Sequence, residues 1–238
     1  MTNAQKQSKS FYYMYGKHAV LAALSNKNRI VKQVYCTEDI FTQNKNLISK
    51  FRYEITNSEG FTKIIGPAGP HQGIAAYLSG VFSNEIRGIE TIDKVAILDQ
   101  ITDPQNIGAI IRNAAAFNFE AIIIPADNAP DENSTIAKAA SGALELVQII
   151  KVPNLRNAIE FLKKNGFWII GLDGHAKEIL DKKLISSKMA VVLGSEDQGL
   201  RRLTKENCDH LVKIPISHNL ESLNVSAASA IVFHLFSR

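Results

Sequence analysis

Six short apolar runs recur along the second half of the chain: Val95–Leu98, Ala121–Ile124, Leu146–Ile150, Phe167–Leu172, Ala190–Leu193 and Leu211–Ile214, with helical stretches between them. None alternates cleanly between apolar and polar residues, as a strand with one face in water would. A strand apolar on both faces has to be covered on both, and strands joined through helices run parallel. The pattern predicts an α/β domain over residues 92–238, built on a mostly parallel sheet with helices on both faces. Ligands of such sheets bind beyond the carboxyl ends of the strands, so the loops after these runs are where function is expected.

The first eighty residues read differently. Val20, Ala23 and Leu24 at helical spacing predict a helix over 19–25, followed by a strand over 30–36 and a second helix over 41–51. A short strand at 53–55 and a brief helix at 58–64 come next, then the turn signal Gly66-Pro67-Ala68-Gly69-Pro70 and a last strand over 73–78. Together they form a smaller α/β module over residues 11–80. A polar lead-in, residues 1–10, is expected to be disordered, and residues 81–91, with Ser83, Asn84 and Gly88 and no strong periodicity, are expected to be a linker. Charge separates the halves as well. Ten Lys and Arg against four Asp and Glu give residues 1–80 a net +6, whereas seventeen against nineteen leave residues 81–238 at −2. A basic lobe on a near-neutral body suits a polyanion held by one half and acted on by the other; the alternative is a solvated charged face.

Several classes are disfavoured. The opening residues have no apolar centre, and the uncharged stretch 225–236 is shorter than the roughly 18 apolar residues of a membrane span, so a cytoplasmic protein without a membrane partner is expected. Cys36 and Cys208 stand far apart and outside any Cys/His cluster, which predicts free, buried or half-buried thiols rather than a zinc site or a disulfide framework. His210, close to Cys208, reads as a surface-loop residue. The first large strand runs into Asp99-Gln100-Ile101-Thr102-Asp103-Pro104, without the glycines of a dinucleotide fingerprint, and no Walker A sequence occurs. A cofactor, if there is one, belongs at the later strands.

Three polar loops follow three of the buried runs. In the first, Asp103 reads as an N-cap with Pro104 at the first helical position. The stripe Ile107, Ile110, Ile111 and Ala114 turns Gln105, Gly108 and Arg112 onto another face, where Gly108 leaves space for a ligand. In the second, Gly194 and Gly199 leave backbone room for a flat ring, and Gly171 and Gly174 flank Asp173 at the end of the preceding strand. In the third, Ser222-Leu223-Asn224 sits at the start of a C-terminal helix, where an N-cap alone would explain it.

In order, these loops stand as DPQNIGAIIRNAAAF, VVLGSEDQGL and IPISHNLESLNVSAASAI. They resemble the three signature motifs of the SpoU (TrmH-type) RNA ribose 2'-O-methyltransferases, a branch of the SPOUT methyltransferases. GKHAV at 16–20 and HQGI at 71–74 are similar to pieces of that family's amino-terminal RNA-binding extension. The resemblance implies a SPOUT α/β knot, a deep trefoil, for the larger domain and an L30e-like RNA-binding fold for the smaller. It implies S-adenosylmethionine as cofactor, with Gly171, Gly194, Ile214 and Leu223 as the residues to hold it, and a homodimer with its site at the subunit interface. The implied reaction methylates a ribose 2'-OH, of a 23S rRNA guanosine in the two-domain members or of tRNA in others. Arg112, which stays protonated, would grip a phosphate or the developing alkoxide. Asn106 would orient the ribose or Arg112, Glu196 would fix the loop or the arginine, and Ser222 and Asn224 would position the hydroxyl. No metal is called for. Asp197-Gln198 stand where small residues are frequent in the family, which bears on target preference. An RNA-binding assembly factor that kept the fold without the chemistry is the competing expectation.

Overall fold

The computed structural model describes residues 10–67 and 71–237. In chain order its elements are β1 (Phe11–Tyr15), α1 (Lys17–Ser25), β2 (Val31–Cys36), α2 (Glu38–Gln43), α3 (Lys45–Ile48), β3 (Tyr53–Ile55), α4 (Ser58–Ile65), β4 (Ile74–Ser79), β5 (Lys94–Asp99), α5 (Pro104–Ala116) and β6 (Ala121–Pro125). They continue as α6 (Ser134–Ala140), β7 (Gln148–Val152), α7 (Leu155–Lys164), β8 (Trp168–Leu172), β9 (Glu178–Ile179), β10 (Met189–Gly194), α8 (Arg202–Glu206), β11 (His210–Lys213) and α9 (Val225–Phe236). The lead-in at 1–9 and positions 68–70 of the turn signal lie outside the described residues.

The chain forms two units. The first joins the residues up to Val81 with Glu132–Glu145. Its sheet runs β1-β4-β2-β3, with β4 antiparallel to both neighbours and β2 parallel to β3. One sheet face supplies the core residues Met14, Val34, Cys36 and Leu78, which are buried together with Val20, Ile48 and Phe61. Strand β1 was not expected, because FYYMY shows no apolar–polar alternation. The helix expected over 41–51 is two short helices: Asn44 leaves the helical region at φ −128° and its Nδ2 donates to the Ile40 carbonyl at 2.9 Å, ending α2.

Segment 132–145 was expected to belong to the larger domain, but a buried charge cluster ties it to the first unit. The Arg29 side chain is fully buried. Its Nη1 donates to Glu132 Oε1 and, at 2.6 Å, to the Ser79 carbonyl, and its Nη2 donates to Glu145 Oε1 at 2.6 Å. Tyr12 Oη donates to Glu132 Oε1 at 2.8 Å. A guanidinium fork presents five donors in fixed geometry, so one arginine can satisfy two carboxylates and a carbonyl away from water.

The second unit comprises residues 82–131 and 146 onward. Its sheet runs β7-β6-β5-β10-β8-β11-β9, and every pairing is parallel. Helix α7 packs Leu155, Ala158, Ile159 and Leu162 against Val95, Ile97, Ile123, Ile169 and Val192. The alternate residues Ala96, Leu98, Ile122, Ile170 and Val191 are buried too, and α5 and α9, packed on each other, contact β6 and β10. The stretch expected as a linker is anchored here. Ser83 N donates to the Ile149 carbonyl at 2.9 Å, Lys151 N donates to the Ser83 carbonyl at 2.7 Å, and Ile89 lies in the core beneath α7. Among the described residues, no helix is long and apolar enough to cross a membrane.

Strand order fixes where a ligand can sit. From β5 the chain moves outward through β6 and β7, then returns on the other side to build β8, β10 and β11, leaving β10 beside β5. The reversal of strand order between β5 and β10 is the topological switch point of the sheet, where the connections at the carboxyl ends diverge and open a crevice.

Candidate active site

A cavity of about 550 Å³ opens at the carboxyl ends of β8, β10 and β11. Leu172–His175, Leu193–Gly199 and Val212–His218 line it, and Leu220–Leu223, Val225, Ala228 and Lys205 complete it. Of the expected cofactor positions, Gly194, Ile214 and Leu223 line this cavity. Gly171 does not. A Cβ there would meet Cys208 Sγ at 2.7 Å and the Leu200 and Leu211 side chains at 2.9 Å, so the missing side chain serves packing between β8 and its neighbours.

Gly194 also works differently from the expectation. A Cβ at this position would stand 2.3 Å from the Gly199 carbonyl carbon and 2.6 Å from Leu200 N. The absent side chain makes room for the chain's own backbone rather than for a ring. Loop 195–199 folds back over the end of β10, closed by Gly199 N donating to the Ser195 carbonyl at 2.9 Å, with Gly199 at φ +64°. Gly174, by contrast, has nothing within 4 Å of where a Cβ would be and faces open space.

The folded-back loop delivers Glu196 to the switch point. Asn106 Nδ2, from the first turn of α5, donates to Glu196 Oε1 at 3.1 Å. Asn224 Nδ2 donates to the same oxygen at 2.7 Å and to Asn106 Oδ1 at 3.1 Å, and Val225 N adds a contact to Glu196 Oε1 at 3.3 Å. Three residues separated by 90, 28 and 118 positions thus form one hydrogen-bonded triangle. Glu196 Oε2 takes no hydrogen bond from the described residues. Asn224 is an N-cap as well as a member of the triangle. Its Oδ1 caps α9 by accepting from Ser226 N at 2.9 Å, which leaves its Nδ2 for the site. Helix α5 begins as expected, with Asp103 Oδ1 accepting from Gln105 N at 3.0 Å and Pro104 in the first turn.

Two expected residues stand apart from the triangle. Ser222 is exposed at the cavity rim and bonds to no described residue. Arg112 is exposed and likewise unpaired. Six residues on from Asn106, it lies about 9 Å along α5 and about 120° around it, whereas Asn113, one heptad from Asn106, donates to Ser226 O and Ser229 Oγ at 2.9 Å and fixes the face that α9 covers. Gly108, expected to leave ligand space beside Arg112, is buried.

Sequence reading missed two ion pairs around the site. Asp99, the last residue of β5, is fully buried; it accepts from Arg201 Nε at 2.6 Å and from Arg201 N at 3.0 Å, tying the far end of the 195–201 loop to the switch point. A carboxylate closing the apolar run VAILD was the available signal. Asp173, on the cavity wall, pairs with Lys205 at 2.7 Å. Burial alone would raise its pKa, but the Lys205 hydrogen bond, the His175 backbone N–H and the nearby charges outweigh that and hold it below its ordinary value of 3.8. A carboxyl lowered on folding stabilises the fold above the unfolded value and loses that contribution as pH falls through the folded one. The stability difference between wild type and Asp173→Asn is therefore expected at neutral pH and to shrink steadily below pH 3.8 in urea denaturation.

Neither cysteine lines the cavity, nor does His210. Burial pushes the Cys208 thiol up to about 12 and the Cys36 thiol up to about 11, and both are free and inert at neutral pH. His210 lies in β11 rather than in a surface loop, with Nδ1 at 3.2 Å from Glu178 Oε2 and its ring beside Trp168.

On the far side of the switch point a second cleft, of about 860 Å³, lies beyond β5, β6 and β7, with Arg156, Arg201 and Arg202 among its lining residues. Among the described residues, Arg156 and Arg202 pair with Glu160 and Glu206 of their own helices, and both pairs are exposed. Exposed pairs of this kind contribute little to stability.

Comparison with known proteins bears on this geometry. The profile of the SpoU rRNA Methylase family matches residues 93–234, and that of the RNA 2'-O ribose methyltransferase substrate binding domain matches residues 13–81. The 23S rRNA (guanosine-2'-O-)-methyltransferase RlmB of Nitrosomonas europaea is 34% identical, over 92% of this chain and 88% of that one. RlmB of Pseudomonas aeruginosa is 32% identical over 92% of each. In fold, the chain is similar to the SpoU methyltransferase AviRb of Streptomyces viridochromogenes, solved in complex with AdoMet, at a TM-score of 0.79 and 18% identity over 96% of this chain and 89% of that one.

Proposed function

This chain belongs to the SpoU rRNA methylase family, and we propose that it transfers the methyl group of S-adenosylmethionine to a ribose 2'-OH of RNA, with a guanosine of 23S rRNA as the target. The observation that carries this reading is the Asn106–Glu196–Asn224 triangle at the rim of the cavity beyond β8, β10 and β11. The RlmB relatives, similar along nearly the whole chain, support the choice of RNA.

The cavity fits the cofactor. Its volume lies within the usual range for small-ligand sites. Leu172, Leu193, Val212, Ile214 and Leu223 offer apolar walls for a purine, while Asp173 and Glu196 offer carboxylates for a cationic centre. When bound, S-adenosylmethionine supplies an electrophilic methyl on a sulfonium. The protein's part is positioning. Glu196, locked by three N–H donors on one oxygen, keeps the other for the substrate side, and Asn106 and Asn224 fix its orientation. Ser222, without a partner of its own, is free to meet the ribose. Arg112, permanently charged, serves as a clamp on a phosphate beside the target ribose or on the alkoxide as it forms. Its distance around α5 from the triangle supports the homodimer: Arg112 of one copy completes the site of the other. The trefoil knot belongs to the same reading, with the segment between β11 and α9 as the part that threads. The arginine-lined cleft beyond β5 suits the RNA backbone on the other side.

One experiment tests the reaction and the substrate together. RNA from cells lacking the protein is incubated with the protein and labelled S-adenosylmethionine, and positions newly resistant to alkaline cleavage are mapped. A ribose-methylated guanosine in 23S rRNA is expected. Label in tRNA would change the substrate, and label confined to bases would end the ribose assignment. Gly194→Ala should lower stability by about 1–3 kcal/mol or more in urea denaturation, because the added methyl meets backbone that cannot rotate away.

A further inference from the structure

The sheet of the first unit departs from the usual division into a core face and a polar face. An antiparallel sheet packed on one side ordinarily turns polar residues to the other. Here the face opposite Met14, Val34 and Leu78 carries Phe11, Tyr13, Tyr35 and Tyr77. Tyr13 and Tyr77 stand directly opposite in register, with ring centroids 4.8 Å apart. Phe11 adjoins Tyr77 at 5.7 Å, and Tyr35 adjoins Tyr13 at 6.4 Å, so the rings form one row across β1, β4 and β2. Tyr13 is 37% exposed and the other three are half-buried. At one end of the row Lys32 Nζ lies 5.4 Å from the Phe11 centroid; at the other, Glu54 pairs in register with Tyr35.

We propose that this row is a stacking platform for unpaired bases of the RNA, with Lys32 meeting a phosphate of the same strand. The proposal rests on reading the chain as an RNA methyltransferase and adds where, and in what form, the substrate is held. Bases splayed from a strand stack on aromatic side chains whatever their identity, whereas a duplex hides its base faces. The occupant is a polyanion rather than an apolar protein segment, because the row is flanked by a lysine and lies in a stretch with ten Lys and Arg against four Asp and Glu.

The test uses the full chain, a labelled mixed-sequence single-stranded RNA oligonucleotide and the same oligonucleotide annealed to its complement, read by fluorescence anisotropy across a salt series. Tyr13→Ser combined with Tyr35→Ser is expected to weaken single-strand binding by roughly tenfold or more, with a much smaller effect on the duplex and no change in salt slope, since no cation is removed. Tyr13→Phe with Tyr35→Phe keeps the rings and should keep the affinity. Lys32→Ala should reduce the salt slope by about one phosphate's worth. An unchanged melting temperature certifies the serine variant; where that pair melts early, Tyr13→Ser alone, at the most exposed ring, should give a smaller loss in the same direction. Unchanged single-strand affinity, or equal loss for strand and duplex, overturns the platform. So does a drop in assembly mass on sedimentation with RNA affinity intact, which would assign the face to a second copy of the chain. Wild-type protein that binds the strand but transfers no methyl would sink the enzyme reading and leave the platform standing.

Discussion

Arg112→Ala is expected to lower methyl transfer by about 100- to 1000-fold or more while leaving S-adenosylmethionine affinity and melting temperature unchanged. The first half follows from charge: a fixed cation where negative charge develops contributes on this scale when removed from a reacting site. The second half follows from surroundings, since Arg112 is exposed, bonds to no described residue and is not among the residues that line the cavity. Arg112→Lys should recover only part of the loss, because an ammonium cannot reproduce a planar two-pronged grip. Calorimetry with the cofactor and single-turnover transfer to the RNA separate the two effects, and an equal loss of cofactor affinity would count against the assignment. Mixing Arg112→Ala with Glu196→Ala protein adds a test of the homodimer. If each site takes its arginine from the opposite copy, hybrids regain one intact site; activity that stays at the level of the separate variants places both residues in the same copy's site.

Arg29→Ala is expected to destabilise the first unit strongly. The substitution removes the guanidinium from between the buried Glu132 and Glu145 carboxylates and strips the Ser79 carbonyl of a donor. Breaking a buried pair from one side costs about 3–5 kcal/mol, and here one cation serves two carboxylates. A loss of that size is a large fraction of the stability of a small domain, about 5–15 kcal/mol. Urea denaturation followed by far-UV circular dichroism should show an early transition for the first unit, with the later one retained. A variant that melts as a single step close to wild type would mean that the cluster contributes far less than its burial indicates.

The large sheet was legible because strands buried on both faces write themselves as unbroken apolar runs, and all six expected runs are strands. Strand β1 was not, since exposed rings and core residues alternate in FYYMY without any polar residue to mark the period. The site was legible through its motifs: Asn106, Glu196 and Asn224 meet, although each loop alone reads equally well as a helix cap or a turn. What the glycines do was misread at Gly171 and Gly194, because only the fold tells whether a missing Cβ makes room for a ligand or for the chain itself. The Arg29 cluster was illegible for a plainer reason. Its partners lie 103 and 116 residues away, and no local pattern announces a contact at that range.

That separation has a consequence for how the protein is made. A ribosome adding about 5–20 residues per second completes β1 to β4 well before Glu132 emerges, so the nascent first sheet spends roughly 3–10 seconds with a cation at its centre before Glu132 reaches it. The amino-terminal module therefore cannot finish folding in the order in which it is translated; it waits, partly formed, until its last helix has been synthesised.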